Sequence, residues 1–225
     1  MTPVQPDKRV TLIEKRRDMT DAAFHAHWSG PHAEIARDLP GLVWYVQNHV
    51  RRVLWTSPGQ SAPYLGIAEI AFDTPGAIFD RIDGWARVDE LREDEGRFLS
   101  ARYGCWTHAG DLAIPPAQRR IVVQVNRPAT EDQAARGRLA SLAERIGATL
   151  PCHVEDCVGP PADDLGDPPG AFLFIELPER GDIDQTLTLL LDGLADLHAR
   201  GVSATAYLVH AEAKRLPIDL AIPTG

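Results

Sequence analysis

Apolar and polar positions alternate along four stretches of the first half of the chain: VTLIEK (10–15), LVWYVQNHVRRVLW (42–55), YLGIAEIAF (64–72) and CWTHAGDL (105–112). Period-two alternation predicts strands there. Between them the pattern turns helical. Thr20 or Asp21 can N-cap a first helix. Asp73-Thr74-Pro75 opens a second, with proline where no amide donor is needed, broken at Asp83-Gly84 and resumed to about Leu99. The second half repeats the order. IVVQVN (121–126), HVEDCV (153–158), AFLFIEL (171–177) and ATAYLVH (204–210) read as strands. Thr130 and Gln133 suggest a capping box for a helix ending at Gly147, and residues 182–200 carry leucines at helical spacing before Gly201. A turn-rich loop occupies 158–170, and a proline-containing tail follows the last strand.

Each half is thus β-α-β-β-α-β, the split pattern of ferredoxin-like folds. Such a unit covers one face of its sheet with helices and leaves the other bare. The fold class expected is α+β: two tandem ferredoxin-like units, 1–113 and 119–225, packed sheet to sheet as an intrachain α+β barrel and joined near IPPAQ (114–118). That packing would enclose a pocket.

Charge and cysteine content narrow the partners. A formal net charge of −9 repels phosphate backbones, so nucleic-acid binding is not expected. No apolar run is long enough to span a membrane, and the N-terminus lacks the apolar stretch of a signal peptide, which favours a cytoplasmic protein. The three cysteines are expected as free thiols. On an alternating strand Cys152 and Cys157 would face opposite sides, which argues against a shared metal.

Two strands hold the candidate chemistry. In 42–52 one face takes Leu42, Trp44, Val46, Asn48 and Val50, and suits the helix side. The other takes Val43, Tyr45, Gln47, His49 and Arg51, is mixed, and suits the pocket. Glu69 shares a face with Leu65, Ile67 and Ala71, and its counterpart in the second half is Glu176. A carboxylate there needs a partner such as Arg51, or titrates abnormally. In FHAHWSGPHAEI (24–35), His25 and His27 diverge by about 200° on a helix, and His25 and His32 stand about 10 Å apart. No shared metal fits that spacing. Gly30-Pro31 interrupts the helix and sets His32 in the first turn of a new one, 31–38, where a neutral imidazole is favoured. His25 and His27 are expected to face solvent or to pack.

Phe24, Trp28, His32, Leu39-Pro40-Gly41-Leu42, Tyr45 and Asn48-His49 together resemble the EthD-like family of the dimeric α+β barrel superfamily. YLGIAEIAFDTP with Glu69, and EDEGRFL (93–99), extend the resemblance over residues 8–111. The second half lacks these motifs and looks like a degenerate copy.

The resemblance implies small-molecule chemistry in degradation or secondary metabolism. It points first to a cofactor-independent lyase, of dehydratase or decarboxylase type, acting on an apolar, aromatic or polyketide-like substrate. His49 and His32 would be the acid/base pair, Tyr45 or Asn48 would polarise a carbonyl, and Glu69 would orient a histidine or protonate a leaving group. Trp28, Gln47, Arg51 and His108 would line the substrate. The alternatives are a cofactor-free oxygenase or isomerase of aromatic compounds, and a non-enzymatic binding or assembly protein. No dinucleotide or P-loop motif is present, and neither cofactor nor metal is expected. Haem is left open, to be decided by an absorption spectrum. A homodimer through the helices or exchanged edge strands is compatible with the pattern.

Overall fold

Thr20 accepts a hydrogen bond from the Ala23 amide and so fixes the start of the first helix. That helix, α1 (Asp21–His27), does not end where Pro31 would force a stop. Residues 28–32 (WSGPH) stay helical but widen into a π-type turn, and α2 (Ala33–Ala36) follows directly. A proline inside a helix has no N–H to give and clashes with the preceding turn. The wider turn absorbs both effects. The expected break is therefore a bulge in a continuous helical segment.

The structure, a computed structural model, describes residues 7–73, 82–108, 112, 115–126, 133–158 and 169–216. The expected second-helix opening at Thr74-Pro75, the Thr130 cap and most of the 158–170 loop lie outside them. The strands are β1 (Asp7–Lys15), β2 (Leu42–Thr56), β3 (Tyr64–Phe72), β4 (Leu99–His108), β5 (Arg119–Asn126), β6 (Cys152–Val158), β7 (Pro169–Glu176) and β8 (Ala204–Arg215). The remaining helices are α3 (Val88–Phe98), α4 (Gln133–Gly147) and α5 (Asp184–Ala199). Among the described residues no helix is long and apolar enough to cross a membrane. Two differences from the sequence pattern stand out. β4 starts immediately after α3, and β8 runs on to Arg215.

All eight strands join one closed antiparallel barrel in the order β1-β3-β2-β8-β5-β7-β6-β4. The fold is α+β. Closure removes every free sheet edge. Helices cover the outside. Beneath α4 and α5 the outer face of β5, β7 and β8 is aliphatic, with Ile121, Val123, Leu173 and Ile175 against Leu139, Leu142, Leu190 and Leu194. Beneath α1 and α3 the cover is aromatic, with Phe24, Trp28 and Phe98 packed on Ile13 and Ala68. The barrel interior holds Val10, Leu12, Val50, Ile67, Val122, Phe172, Phe174 and Tyr207.

The sides of β2 are the reverse of those expected. Trp44 and Val46 pack with Ala71 and Ala211, and Val50 lies in the barrel core, so this row, with Asn48, points inward. Tyr45, Gln47 and His49 point outward under the helices, where Gln47 and His49 meet Trp28. Apolarity misled because both compartments take apolar groups: the inward row packs on Ala71 and Ala211, and the outward row meets Trp28 beneath the helices.

The Trp28 ring lies directly on Gly66 of β3, where an added methyl group would come within 2.7 Å of it. Trp28 is fully buried and its neighbours leave it little freedom. Gly66→Ala should therefore lower unfolding free energy by about 1–3 kcal/mol, the usual cost of overpacking a filled core. Urea denaturation monitored by tryptophan fluorescence measures this, and an unchanged midpoint would show that α1 is not seated on the sheet as described.

Candidate active site

The helix-covered face of β1 to β4 carries two polar clusters, one packed on Phe98 and the other on Trp28. In the first, α3 delivers Asp94, whose carboxylate is buried between two histidines. His27 Nε2 lies 2.8 Å from Oδ1 and His32 Nδ1 lies 2.9 Å from Oδ2. Burial alone would raise the Asp94 pKa, but the bonds from His32 and His27 outweigh it and hold the carboxyl below its ordinary value. An ionised carboxylate accepts, so His32 donates from Nδ1. That tautomer puts the lone pair on Nε2, at the far side of the ring.

His32 is also one wall of a cavity of about 90 Å³ between helices and sheet. Trp28, Leu39, Ala68, Ile70, Leu91 and Phe98 supply apolar walls. Tyr45, Thr11, Arg9, Glu95 and Arg102 supply polar groups. Tyr45 accepts a 2.6 Å hydrogen bond from the Gln47 amide, and Gln47 also donates to the Trp28 carbonyl at 2.7 Å. Burial pushes the Tyr45 phenol well above its ordinary range, against the opposing pull of its contacts with Gln47 and Trp28. It stays protonated, and because its oxygen already accepts from Gln47, its own proton can be donated elsewhere.

The second cluster packs on Trp28. His25 Nδ1 and His49 Nδ1 are 3.0 Å apart, and the His49 ring lies 4.6 Å from the indole. The last strand reaches across. Glu212 on β8 comes within 3.7 Å of His49 Nε2, accepts from Ser29 at 2.5 Å and pairs with Lys214 at 2.6 Å. Lys214 in turn donates to the Ser29 carbonyl at 2.9 Å. The widened turn of residues 28–32 is thus tied to the end of β8, across sequence separations of 183 and 185 residues. Burial drives the His49 pKa down to about 3 despite Glu212.

The sequence-derived candidates therefore separate into three places. Trp28, His32 and Tyr45 line the helix-side cavity, with Gln47 behind Tyr45. His49 is buried and does not line it. Its expected place at a cavity in the strand centre is corrected by the seating of α1, which puts His25 and Trp28 over the ring. His25 and His27 are half-buried and pack within the two clusters, the second of the two places expected for them. Asn48 and Glu69 face the barrel interior. Asn48 donates to Glu69 at 2.7 Å, and Glu69 pairs with Lys8 at 2.7 Å and with Arg120 at 2.6 Å. Arg51 is exposed and is not the partner of Glu69, because the two lie on opposite faces of the barrel wall. The backbone of His108 pairs with Asp7, and its side chain lies outside the described residues.

Asp94, Glu212 and Lys214 were missed in the sequence. Asp94 sits in a run of charges on α3 that looks like an ordinary solvated face, and nothing in the alternation of β8 marks which residues reach the first half. A larger cavity, about 250 Å³, opens at one end of the barrel against Lys8, Glu69, Arg120, Glu155, Glu176 and Trp44. Its carboxylates and cations are engaged with one another, whereas His32 and Tyr45 each present one group beyond their mutual supports. Among the described residues no group of three or more His, Cys, Asp or Glu side chains is arranged to hold a metal.

The buried histidine has a measurable consequence. Its ordinary pKa is 6.5 and the native value is about 3. Between those values the unfolded chain binds a proton that the native protein does not, so stability falls as pH is lowered through that window. Glu212, held at about 2 by Lys214, Ser29 and His49 against the opposing effect of burial, adds to the loss only below its ordinary 4.5. The urea midpoint of the parent protein should drop between pH 6.5 and 4.5, and that of His49→Gln should drop less. Equal slopes would show that His49 does not titrate abnormally.

A family model described as the EthD domain matches residues 16–102. No curated protein matches the chain. Among solved structures, an anthrone oxidase-like protein superposes with a TM-score of 0.57 at 9% identity, covering 96% of this chain and 97% of its own. A chain provisionally named a monooxygenase, from Fusobacterium nucleatum subsp. nucleatum, gives 0.53 at 7%, covering 96% of each. One provisionally named a chlorite dismutase gives 0.50 at 11%, covering 92% and 95%. At these identities the likeness is one of fold. None of the three is described as a dehydratase or decarboxylase, and the acid/base pair that the lyase assignment required is split, with His49 outside the cavity that His32 lines. The lyase assignment is withdrawn. The helical segment with its widened turn, the Leu39–Leu42 corner and the strands beneath them, which build the His32 cavity, all fall within residues 16–102, the segment that the EthD domain model matches.

Proposed function

We propose that the protein is an oxygenase-type enzyme that oxidises a single-ring, electron-rich phenolic compound in the helix-side cavity. The observation that carries this reading is the junction of an Asp94-supported imidazole and a protonated tyrosine at the wall of an otherwise apolar pocket. The names of the structural relatives, an anthrone oxidase-like protein and a monooxygenase, agree with it.

Size limits the substrate. An apolar cavity of roughly 150 Å³ accommodates benzene, and this one measures about 90 Å³. One ring enters only if Trp28 or Leu39 gives way slightly, and a fused polycycle does not fit. In the proposed reaction His32 Nε2 takes the phenol proton, and Asp94 stabilises the imidazolium that forms. Tyr45 donates to the ring oxygen and holds the phenolate in place. The electron-rich ring carbon adds dioxygen, and loss of water leaves a quinone. The balance is phenol plus dioxygen to quinone plus water, so the substrate supplies all the electrons and no bound cofactor is called on.

We also read residues 7–108 and 119–215 as two copies of one ferredoxin-like unit. The strand orders β4-β1-β3-β2 and β8-β5-β7-β6 match position for position. On this reading only the first copy carries a reaction site, and the second contributes Glu212 and Lys214 from its last strand.

Purified protein should consume dioxygen in step with quinone formation from a panel of substituted phenols, and should be inactive under anaerobic conditions. His32→Gln should lower the rate by about two to four orders of magnitude. Tyr45→Phe should lower it by about tenfold or more, the worth of one hydrogen bond to a charged oxygen. Asp94→Asn should fall between the two. Turnover without dioxygen uptake, or full activity in His32→Gln, would refute the proposal.

A further inference from the structure

Two strand pairings join the halves of the barrel. At the seam between β2 and β8 the paired residues run from Tyr45 with Arg215 to Thr56 with Thr205. At the other seam, between β4 and β6, the described residues pair only as Trp106 with Val158 and Thr107 with Cys157. Side chains reinforce this seam. Thr107 donates to Glu155 at 2.9 Å, and Lys8 reaches the same carboxylate from β1 at 2.5 Å. Beside them, Cys105 Sγ on β4 lies 2.7 Å from Cys157 Sγ on β6. A disulfide bond measures about 2.05 Å, so a shift of under about 1 Å separates this contact from a bond.

We propose that Cys105 and Cys157 are a redox-responsive disulfide site that locks the barrel at the seam between β4 and β6. The two thiols are unequal. Cys105 is buried in the barrel interior. Its contact with the Cys157 sulfur and its burial both push its pKa far above the ordinary thiol range. Cys157 is only half-buried. Cys157 therefore starts the exchange. Its thiolate attacks one sulfur of a small disulfide such as glutathione disulfide and expels one glutathione thiolate. Cys105 then gives up its proton, attacks the Cys157 sulfur and expels the second. The sum is one protein dithiol plus one glutathione disulfide to one protein disulfide plus two glutathiones. The third cysteine is not placed to compete. Cys152 lies on the outer face of β6, and its thiol donates to the Ala143 carbonyl at 3.0 Å.

The bond would join residues 52 apart in the chain. Closing a loop of that length restrains the unfolded state more than the native one. The full-length protein should be equilibrated with mixtures of reduced and oxidised glutathione, quenched by alkylation, denatured and mapped by mass spectrometry. Under oxidising mixtures, Cys105 and Cys157 should be lost to alkylation together, with a linked 105–157 peptide, while Cys152 stays reactive. The oxidised protein should melt higher than the reduced one by about 5 °C or more. Cys152→Ser should behave as the parent does. Cys105→Ser should stop at a glutathione adduct on Cys157, and Cys157→Ser should give no link. A link through Cys152, no link in the most oxidising mixture, or a 105–157 link that leaves the melting temperature unchanged would overturn the proposal.

Discussion

Arg120 is the group on which the closed barrel depends. It is a guanidinium sealed inside the molecule, and it survives there only because carboxylates from two other strands meet it. Glu69 on β3 binds it at 2.6 Å and Glu176 on β7 at 2.8 Å, while Asn48 on β2 accepts from it at 3.2 Å. Lys8 on β1 then bridges Glu69 to Glu155 on β6. Burial by itself would raise the Glu69 pKa, yet Arg120 and Lys8 hold it well below the ordinary carboxylate range. Removing any one partner from this lattice would leave a buried charge uncompensated, at a cost of about 3–5 kcal/mol. Because its members come from six strands in both halves, it requires one arrangement of the barrel and no other.

That requirement reaches the outside of the wall. With Asn48 and Glu69 drawn inward to Arg120, the alternation of β2 sends Tyr45, Gln47 and His49 outward under the helices. The aromatic seat of Trp28 on Gly66 then fixes α1, and the π-type turn that Pro31 enforces carries His32 round to Asp94. The ionic interior and the helix-side cavity are thus the two faces of the same strands. The second half acts on the cavity at a distance: Glu212 and Lys214 hold the turn of residues 28–32 from β8.

The elements were largely legible. The split β-α-β-β-α-β order, the Thr20 cap, the stop at Gly201 and the divergence of Cys152 from Cys157 follow from local rules of periodicity, capping and alternation. They appear in the structure because burial and backbone hydrogen bonding act within a few residues. Trp28, His32 and Tyr45 line one cavity because a helical segment and the strand after it carry them close together in sequence. Asp94 was not legible, because a buried carboxylate and an exposed one look alike in a charged helix until its partners are known. The pairing of Glu69 was misassigned to Arg51 for the same reason: the true partners are 61 and 51 residues away, at Lys8 and Arg120.

The sequence by itself determined which segments are strands and helices, their order, and which residues share a side of each strand. It could not say which side faces which compartment. A period of two divides a strand into two rows but does not label them, and both compartments of this barrel take a mixture of apolar and polar groups. Only closure of the barrel decided it. Closure brought Arg120 from the second half against Glu69 and Asn48, which places both on the interior side of their strands. The same closure set Glu212 beneath His49 and Cys157 beside Cys105. Contacts between residues so far apart in the chain depend on strand order and register, which are properties of the assembled sheet and not of any one segment.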